Sequence, residues 1–238
     1  MLRFRYILMT LLLLACVSAE AKTRRAEVLL VTTEGNIRLQ LYNETPLHRD
    51  QFLRNVKQRV YDGVLFHRVI NEFMIQSGDP LSKDAAPGVL LGEGNETKAD
   101  WVEAEFRIPE FFHRRGVLAA AREGDEVNPE KKSSSTQFYI VTGRTFEDAQ
   151  LERMLQTMKA RTGTAPTMTA EMREAYKTIG GTPHLDGAYT VYGEVVEGMD
   201  VVDKIQVAET DRNDRPLNDI RILQAKLIKK YKYPKKKQ

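Results

Sequence analysis

The sequence predicts a mainly β domain with a few helices, built either as a sandwich or as a closed barrel. Many short runs of strand-forming residues are separated by turn residues, whereas one segment between about residues 144 and 183 has helical spacing. The chain has 238 residues, of which 42% are hydrophobic, so it can bury a core of its own. A single cysteine excludes a disulfide framework and any site built from several thiolates.

The domain begins with a predicted β-hairpin and a helix. Two strand-like runs, 28–33 and 36–42, lie on either side of the turn pair Glu34-Gly35. Thr45-Pro46 predicts a helix start, with threonine as N-cap and proline at the first helical position, and we expect the helix to end near Arg59. Further strands are predicted at 64–70, 73–77, 116–121, 138–141, 189–196 and 220–228.

An αα-hairpin is predicted inside the β domain. Apolar residues recur at the helical spacing i, i+3, i+4, i+7 from Leu151 to Met158, and again from Met172 to Ile179. The two stripes are separated by a turn at 162–166 that contains glycine and proline. We expect each stripe to pack on the other helix and on the β domain, with the insertion covering about 144–183.

The N-terminus has the pattern of a secretory signal. Two arginines precede an apolar run over residues 6–17, which is too short to span a bilayer comfortably. Two kinds of processing fit this segment: cleavage after Ala21, which we favour slightly, or lipidation of Cys16 in a lipobox-like sequence. We therefore expect 1–21 to be a signal peptide of an exported, periplasmic protein; the alternative is a membrane-anchored lipoprotein.

The C-terminus is strongly basic. From Lys226 to Gln238 there are seven lysines and no acidic residue, although the whole chain carries a net charge of only +3. We expect 22–228 to form the domain and 229–238 to form a basic tail. Such a run is usually a solvated end; its functional interpretation is a loose attraction to an anionic surface such as a membrane leaflet.

The sequence gives no pattern for metal or cofactor chemistry. No two of the four histidines have the spacing of metal ligands, and there is no H-E-x-x-H motif. A glycine-rich phosphate loop and the nucleophile elbow of serine hydrolases are also missing from the sequence. We therefore expect no cofactor and no metal, and the near-balanced charge gives no reason to expect a nucleic-acid partner.

The segment 66–80 is the most informative. Strand alternation places Phe66, Arg68 and Ile70 on one face, where burial of an arginine is costly unless it has partners. From the residues alone, Arg68 is either a salt-bridged edge arginine or a guanidinium held over an apolar pocket, where it would meet a carbonyl or amide of a substrate.

This segment resembles the signature of the cyclophilin family of peptidyl-prolyl cis/trans isomerases. Two later blocks resemble the same family, 116–122 with 134–140 and 184–187 with 192–202, and the likeness runs in order through 27–143 and 184–228. The resemblance implies a closed eight-stranded antiparallel β-barrel that is capped by helices and has its active site on the outer face. The inserted hairpin at 144–183 would then emerge beside that site.

The resemblance also assigns site residues. It implies that Arg68 is the catalytic arginine and that Phe73 and Gln76 belong to the same catalytic group. The implied substrate-binding residues are Met74, Ala121, Arg122, Gln137, Tyr139, His184, Leu185 and Tyr189. Four of them differ from the usual residue of the family: Tyr139 replaces phenylalanine, His184 tryptophan, Tyr189 histidine and Arg122 asparagine. The change at His184 puts tight cyclosporin binding in doubt but does not by itself remove catalysis.

The function implied is isomerisation of Xaa-Pro bonds in exported peptides and unfolded proteins, which would assist folding. We expect a monomer whose partners are proline-containing peptides and unfolded clients, with membrane association through a lipid on Cys16 or through the basic tail as a further interpretation. The alternative is a cyclophilin-like binding module or holdase chaperone that holds proline segments with little turnover.

Overall fold

The computed structural model describes residues 24–164 and 166–232, so the predicted signal segment 1–21, with Cys16, lies outside the described residues. The strands are β1 Ala26–Thr32, β2 Asn36–Leu41, β3 Phe66–Ile70, β4 Met74–Ser77, β5 Val117–Ala120, β6 Phe138–Val141, β7 Val191–Glu197 and β8 Ile222–Lys229. The helices are α1 Pro46–Lys57, α2 Asp148–Thr162, α3 Ala170–Thr178 and α4 Met199–Gln206.

The strands form one antiparallel sheet that curls into a half-barrel. Their order is β3-β4-β6-β5-β7-β2-β1-β8, which leaves β3 and β8 at the edges. The two edges meet over a short stretch, where Leu65 bridges Arg221 and the amide of Phe66 donates to the carbonyl of Ile220 at 2.8 Å. The mainly β antiparallel fold is confirmed, whereas closure into a complete barrel is not confirmed, because pairing between the edges is limited to this stretch.

Strand alternation divides the sheet's side chains between two clusters. Ile75, Phe138 and Ile140 are buried in the main core together with residues of α1 and α4. Their neighbours Met74 and Tyr139 point to the other side of the sheet and pack in a second, smaller cluster. Each large aliphatic side chain that is fully buried contributes about 1.5–3 kcal/mol, so the main core accounts for most of the fold's stability.

Helix α1 lies where the sequence predicts a helix, but its N-terminus is capped by a distant residue. Thr45 precedes Pro46, as expected for an N-cap, yet its hydroxyl makes no capping hydrogen bond. The carboxylate of Glu105 instead accepts from the amides of Leu47, at 3.1 Å, and His48, at 3.0 Å. Thr45 is therefore confirmed at the N-cap position, but its hydroxyl does not form the capping bond, because a carboxylate from another loop accepts from the amides of Leu47 and His48.

Helix α4 was not expected from the sequence. It begins after Gly198, which has the left-handed φ of 90°, and it buries Val202 and Ile205 against the main core. The helix packs on β2, β3 and β4, on the same side of the sheet as the main core.

The predicted αα-hairpin is present as α2 and α3. Leu151, Met172 and Tyr176 are fully buried and pack with Phe112, which belongs to the segment leading into β5. Ile179, the last residue of the second stripe, is 49% exposed. The hairpin therefore has a small core of its own against the 108–113 segment and does not add to the main core.

The basic end of the chain overlaps the sheet. Strand β8 extends to Lys229, and Lys232 pairs with Arg24 by two backbone hydrogen bonds of 3.1 and 2.8 Å. The first part of the predicted tail thus pairs with the start of the described chain. Within the described ranges, none of the helices combines the length and the apolar character that a membrane crossing requires.

Candidate active site

A cavity of about 290 Å³ opens on the face of the sheet that is opposite the main core. Strands β3, β4 and β6 form its floor, and loops at 91–93, 121–123 and 185–189 surround it. Its lining comprises His67, Arg68, Phe73, Met74, Gln76, Leu91, Gly92, Glu93, Ala121, Arg122, Glu123, Tyr139, Leu185, Tyr189 and Asn213. Because apolar rings and charged groups meet here, this is the candidate site.

Arg68 lines the cavity, and a row of side-chain amides lies behind it. Its Nη1 donates to Oε1 of Gln76 at 3.4 Å, and its Nε lies 3.5 Å from a carboxylate oxygen of Asp214. Gln76 in turn donates to Gln137 at 3.1 Å, and Gln137 donates to the carbonyl of Gly92 at 2.8 Å. The guanidinium has five N–H donors and is 42% exposed, so it can donate to a substrate while keeping these contacts.

Aromatic rings and Leu185 form the apolar wall of the cavity. Phe73 stacks on His184 with ring centroids 5.6 Å apart, and Tyr139 meets Tyr189 edge to face at 6.1 Å. Burial, assisted by the nearby ring of His113, lowers the pKa of His184, so its imidazole is uncharged at neutral pH. A neutral ring suits a wall that must accept an apolar group.

Arg122 supports this wall. Its guanidinium lies over the ring of Tyr189 at 4.5 Å, its Nε donates to the carbonyl of Ala188 at 2.7 Å, and it pairs with Asp125 at 2.7 Å. The side chain is only 4% exposed. The structure thus gives Arg122 a bracing contact with Tyr189, which the sequence did not predict.

A buried chain of hydrogen bonds starts behind Tyr139. Its hydroxyl lies 3.0 Å from Nε2 of His113, and Nδ1 of that ring lies 2.9 Å from Oδ1 of Asp186. The same carboxylate accepts from the backbone amide of His113 at 2.8 Å and from the hydroxyl of Tyr176 at 2.6 Å. The chain therefore leads from the cavity to helix α3 of the insertion.

His67, next to Arg68 on β3, is buried in a different way. Its side chain lines the cavity, yet neither ring nitrogen has a hydrogen-bond partner within the part of the chain that the structure describes. Burial lowers the pKa of His67 to about 4. It therefore acts as an uncharged ring between β3 and the loop at Gly92.

The candidate groove continues into a smaller cavity of about 80 Å³ beyond Gln76 and Gln137. Glu96 lies at its edge and accepts hydrogen bonds from Ser134, Ser135 and Thr136, at distances between 2.5 and 2.9 Å. This carboxylate fixes the loop that leads into β6. Over the described ranges, no group of three or more histidine, cysteine, aspartate or glutamate side chains is placed to hold a metal ion.

Comparison with known proteins identifies the family. A family model described as "Cyclophilin type peptidyl-prolyl cis-trans isomerase/CLD" matches residues 28–227, which is most of the chain. The chain belongs to the cyclophilin family. The expectation of a cyclophilin-type peptidyl-prolyl isomerase is therefore confirmed at the level of the family.

Individual relatives of this cyclophilin support the family assignment. It is 30% identical over 202 residues to a putative peptidyl-prolyl cis-trans isomerase of Staphylococcus aureus (strain COL), covering 84% of this chain and 91% of that protein. It is 35% identical over 199 residues to a putative bifunctional phosphatase/peptidyl-prolyl cis-trans isomerase of Streptococcus pyogenes, covering 82% of this chain but only 37% of that protein. The match thus spans little more than a third of the Streptococcus protein.

Solved structures show the same fold. The crystal structure of a cyclophilin type isomerase of Cryptosporidium parvum superposes with a TM-score of 0.62 at 20% identity, covering 87% of this chain and 99% of that one. A second crystal structure of that protein, in the presence of the dipeptide Ala-Pro, has a TM-score of 0.61 at 20% identity and covers 86% and 99% of the two chains.

Most of the predicted site residues of this cyclophilin meet in one place. Those lining the cavity are Arg68, Phe73, Met74, Gln76, Ala121, Arg122, Tyr139, Leu185 and Tyr189. Gln137 lies one hydrogen bond behind Gln76, and His184 stacks on Phe73. The amide of Ala121 already donates to the carbonyl of Gln137 at 3.1 Å. Its carbonyl already accepts from the amide of Ser134 at 2.8 Å, so contact of Ala121 with a substrate would use its methyl group. The roles of all these residues stay predictions.

The residues that support the site were not predicted from the sequence. Hydrogen bonds connect the apolar wall to His113, Tyr176 and Asp186. The bonded residues lie up to 73 positions apart along the chain, so no local motif marks them. Asp214 pairs with Arg68 from a loop between α4 and β8. His67 lies within the signature segment 66–80, yet strand alternation gave it no role at the cavity.

Proposed function

We propose that this cyclophilin catalyses rotation about Xaa-Pro bonds in exported peptides and unfolded proteins, and so assists their folding. The observation that carries the proposal is the guanidinium of Arg68 beside an apolar wall formed by Phe73, Tyr139 and Leu185. An apolar wall suits the prolyl ring, and a charged donor suits the amide bond that precedes it.

The chemistry follows from the electronic structure of the amide. Rotation about a peptide bond has a barrier of about 18–20 kcal/mol because the nitrogen lone pair is conjugated with the carbonyl. In the twisted transition state this conjugation is lost and the lone pair returns to the prolyl nitrogen. A guanidinium that donates to this nitrogen stabilises the transition state more than the planar ground state, which is what catalysis requires.

Arginine is suited to this role, and the neighbouring amides are suited to orient it. The guanidinium keeps its charge throughout the ordinary pH range, so the donor is always available. Gln76 directs the guanidinium from one side, and Gln137 holds Gln76 in turn. Meanwhile the ring wall holds the proline, so that the carbonyl preceding it is the part that rotates. No proton transfer or covalent intermediate is required.

Replacement of Arg68 tests the proposal. In Arg68→Ala we expect kcat/KM for a short Xaa-Pro peptide to fall by about 100-fold or more, because one charge-stabilising donor is lost. Arg54→Ala is the matched control, since Arg54 is an exposed arginine that bonds to Gln51 of its own helix. Circular dichroism of both variants checks the fold. Equal activity of the two variants would contradict the role of Arg68.

A second candidate function is that of a holdase that binds proline segments with little turnover. An apolar loop beside the cavity favours it: Val89 and Leu90 are 47% and 63% exposed, directly before Leu91, which lines the cavity. The double variant Val89→Ser/Leu90→Ser separates the two functions. A holdase would lose protection of an unfolded client against aggregation, whereas isomerisation of a short peptide would be unchanged.

The site of action is part of the proposal. The arginine-containing start and the apolar run over 6–17 support export, either by cleavage after Ala21 to give a periplasmic protein or by lipidation of Cys16. The basic C-terminus supports association with anionic membrane lipids. Mass spectrometry of the mature N-terminus decides between the two forms, and sedimentation tests the expected monomer.

A further inference from the structure

We propose that Asp186, His113 and Tyr176 position the ring of Tyr139 in the cavity, so that the inserted hairpin is a structural part of the active site. This inference rests on the proposed function, since it gives Tyr139 a role in holding the prolyl ring. None of the three supporting residues lines the cavity, and all three are buried. They are therefore positioning residues that act through Tyr139.

The hydrogen bonds can be assigned a direction. Burial and the nearby Asp186 raise the pKa of Tyr176, so its hydroxyl keeps its proton and donates to the carboxylate. The carboxylate also accepts from Nδ1–H of His113, which leaves Nε2 as an acceptor. Burial keeps the hydroxyl of Tyr139 protonated as well, because it raises the pKa of that group, and Tyr139 therefore donates to Nε2.

The chain determines which part of Tyr139 a substrate meets. The hydroxyl is bonded to His113, which is fully buried, while the ring itself lines the cavity. A tyrosine in a proline pocket would otherwise have to bury an unpaired hydroxyl or point it at the apolar substrate, and both arrangements are unfavourable. Anchoring the hydroxyl behind the wall leaves only carbon atoms to face the prolyl ring.

The base of the insertion is bonded to the same segment, which makes the connection stiff. The amide of Thr182 donates to the carbonyl of His113 at 2.8 Å, and the amide of Arg115 donates to the carbonyl of Gly180 at 2.9 Å. Gly181 has a φ of +153°, and a Cβ there would lie 2.2 Å from the carbonyl oxygen of His113. Only glycine allows this approach, so the hairpin is held directly against the histidine.

Conservative removal of two hydroxyls tests the inference in the full chain. We expect Tyr176→Phe to raise KM for a short Xaa-Pro peptide by about three- to tenfold with little change in kcat, as expected for the loss of one supporting hydrogen bond. In a Tyr139→Phe background, where the anchored hydroxyl is already gone, the same change should alter KM by less than about 1.5-fold. Tyr61→Phe is the matched control, because Tyr61 is a buried tyrosine of the main core whose hydroxyl bonds to Asn55.

A spectroscopic measurement tests the inference without an activity assay. The rate at which the hydroxyl proton of Tyr139 exchanges with solvent, measured by NMR with labelled tyrosine, should rise in Tyr176→Phe and stay unchanged in Tyr61→Phe. An additive effect of the two substitutions on KM, an equal rise of KM in Tyr61→Phe, or an unchanged exchange rate would overturn the inference. If the unchanged protein lacks isomerase activity, the proposed function fails, but the exchange rate and the Kd of a proline peptide still decide the role of the hydrogen-bond chain.

Discussion

Two buried histidines lie near the cavity, and the structure treats them in opposite ways. His113 has both ring nitrogens in hydrogen bonds, one with Asp186 and one with Tyr139. His67 has neither ring nitrogen bonded within the described residues, and burial lowers its pKa to about 4. The first is a fixed connection between two elements, whereas the second is an uncharged ring buried between β3 and the loop at Gly92.

The difference teaches that burial alone does not make a histidine functional. A buried polar group with partners orients its neighbours, and its removal leaves those neighbours unpaired. A buried imidazole without partners has already given up its hydrogen bonds with water, so its polar atoms only reduce stability. Four substitutions test this contrast, from the one with the largest expected loss of unfolding free energy to one that should change activity only slightly.

His113→Phe is expected to have the largest effect. It removes a donor from the buried carboxylate of Asp186 and the acceptor of the Tyr139 hydroxyl, and we expect the free energy of unfolding at pH 7 to fall by about 3 kcal/mol. Urea denaturation measures it. A loss of unfolding free energy below about 1 kcal/mol would show that His113 contributes as little to stability as His67.

His67→Phe should not lower the free energy of unfolding at pH 7, and it should be protective in acid. Because the folded pKa of His67, about 4, is below the ordinary histidine value of 6.5, the unfolded chain binds more protons between these values, and stability is lost as the pH falls through this window. At pH 5 the loss due to His67 amounts to about 2 kcal/mol. The free energy of unfolding should therefore fall less between pH 7 and pH 5 in His67→Phe than in the unchanged protein. An equal fall in the two proteins would contradict the prediction.

Glu105→Gln tests a third histidine, His48, which resembles His113. Its ring nitrogens lie 2.7 Å from Glu105 and 2.9 Å from Ser133. Burial opposes the charge of Glu105, but hydrogen bonds from His48 and Leu47 lower its pKa below the ordinary glutamate value of 4.5. This stabilisation is present above pH 4.5 and is lost as the pH falls through the folded pKa.

We therefore expect Glu105→Gln to cost about 1 kcal/mol at pH 7 and less in acid. Glu103→Gln is the control, because Glu103 is 66% exposed and its ion pair with Lys132 should contribute little. Chemical denaturation at pH 7 and pH 4 measures both variants. Equal losses of unfolding free energy in Glu105→Gln and Glu103→Gln would show that the hydrogen bond between Glu105 and His48 adds no stability.

His184→Phe should have the smallest effect. His184 is uncharged at neutral pH and stacks on Phe73, so an aromatic ring without nitrogen atoms can take its place. We expect kcat/KM for a short Xaa-Pro peptide to stay within about threefold of the unchanged protein at pH 7, whereas His184→Ala, which loses the stack, should fall further. A steady-state assay of both variants checks this order, and a larger loss in His184→Phe would contradict it.

The sequence predicts those parts of this protein that local patterns determine. The hairpin β1–β2, helix α1 and the insertion were found from alternation, from Pro46 and from helical spacing. Helix α4 was missed although Met199, Val202 and Ile205 recur at helical spacing, because eight residues are too few to distinguish a helix from a continuation of the strand before it. The closed barrel was implied by the family resemblance rather than by the residues, and the structure limits the contact between its edges.

The candidate site likewise has residues that the sequence names and residues that it misses. Arg68, Gln76 and Leu185 lie in short motifs and were named from the sequence. Partners that are distant along the chain could not be found, because a hydrogen bond between Asp186 and His113 spans 73 positions and depends on how the sheet folds. Sequence reasoning therefore names the groups that would meet a substrate and misses those that hold them in place.

The pairing of Arg24 with Lys232 has a consequence for attachment. Arg24 and Lys232 are the first and last residues that the structure describes, and their bridge places the two Cα atoms about 5.5 Å apart. If the proposed lipid on Cys16 and the proposed membrane contact of the basic tail both exist, they join the domain at this one bridge. Two weak contacts so joined would act as a bivalent one, since binding of the first raises the effective concentration of the second. The domain would then be attached beside a single bridge of its sheet.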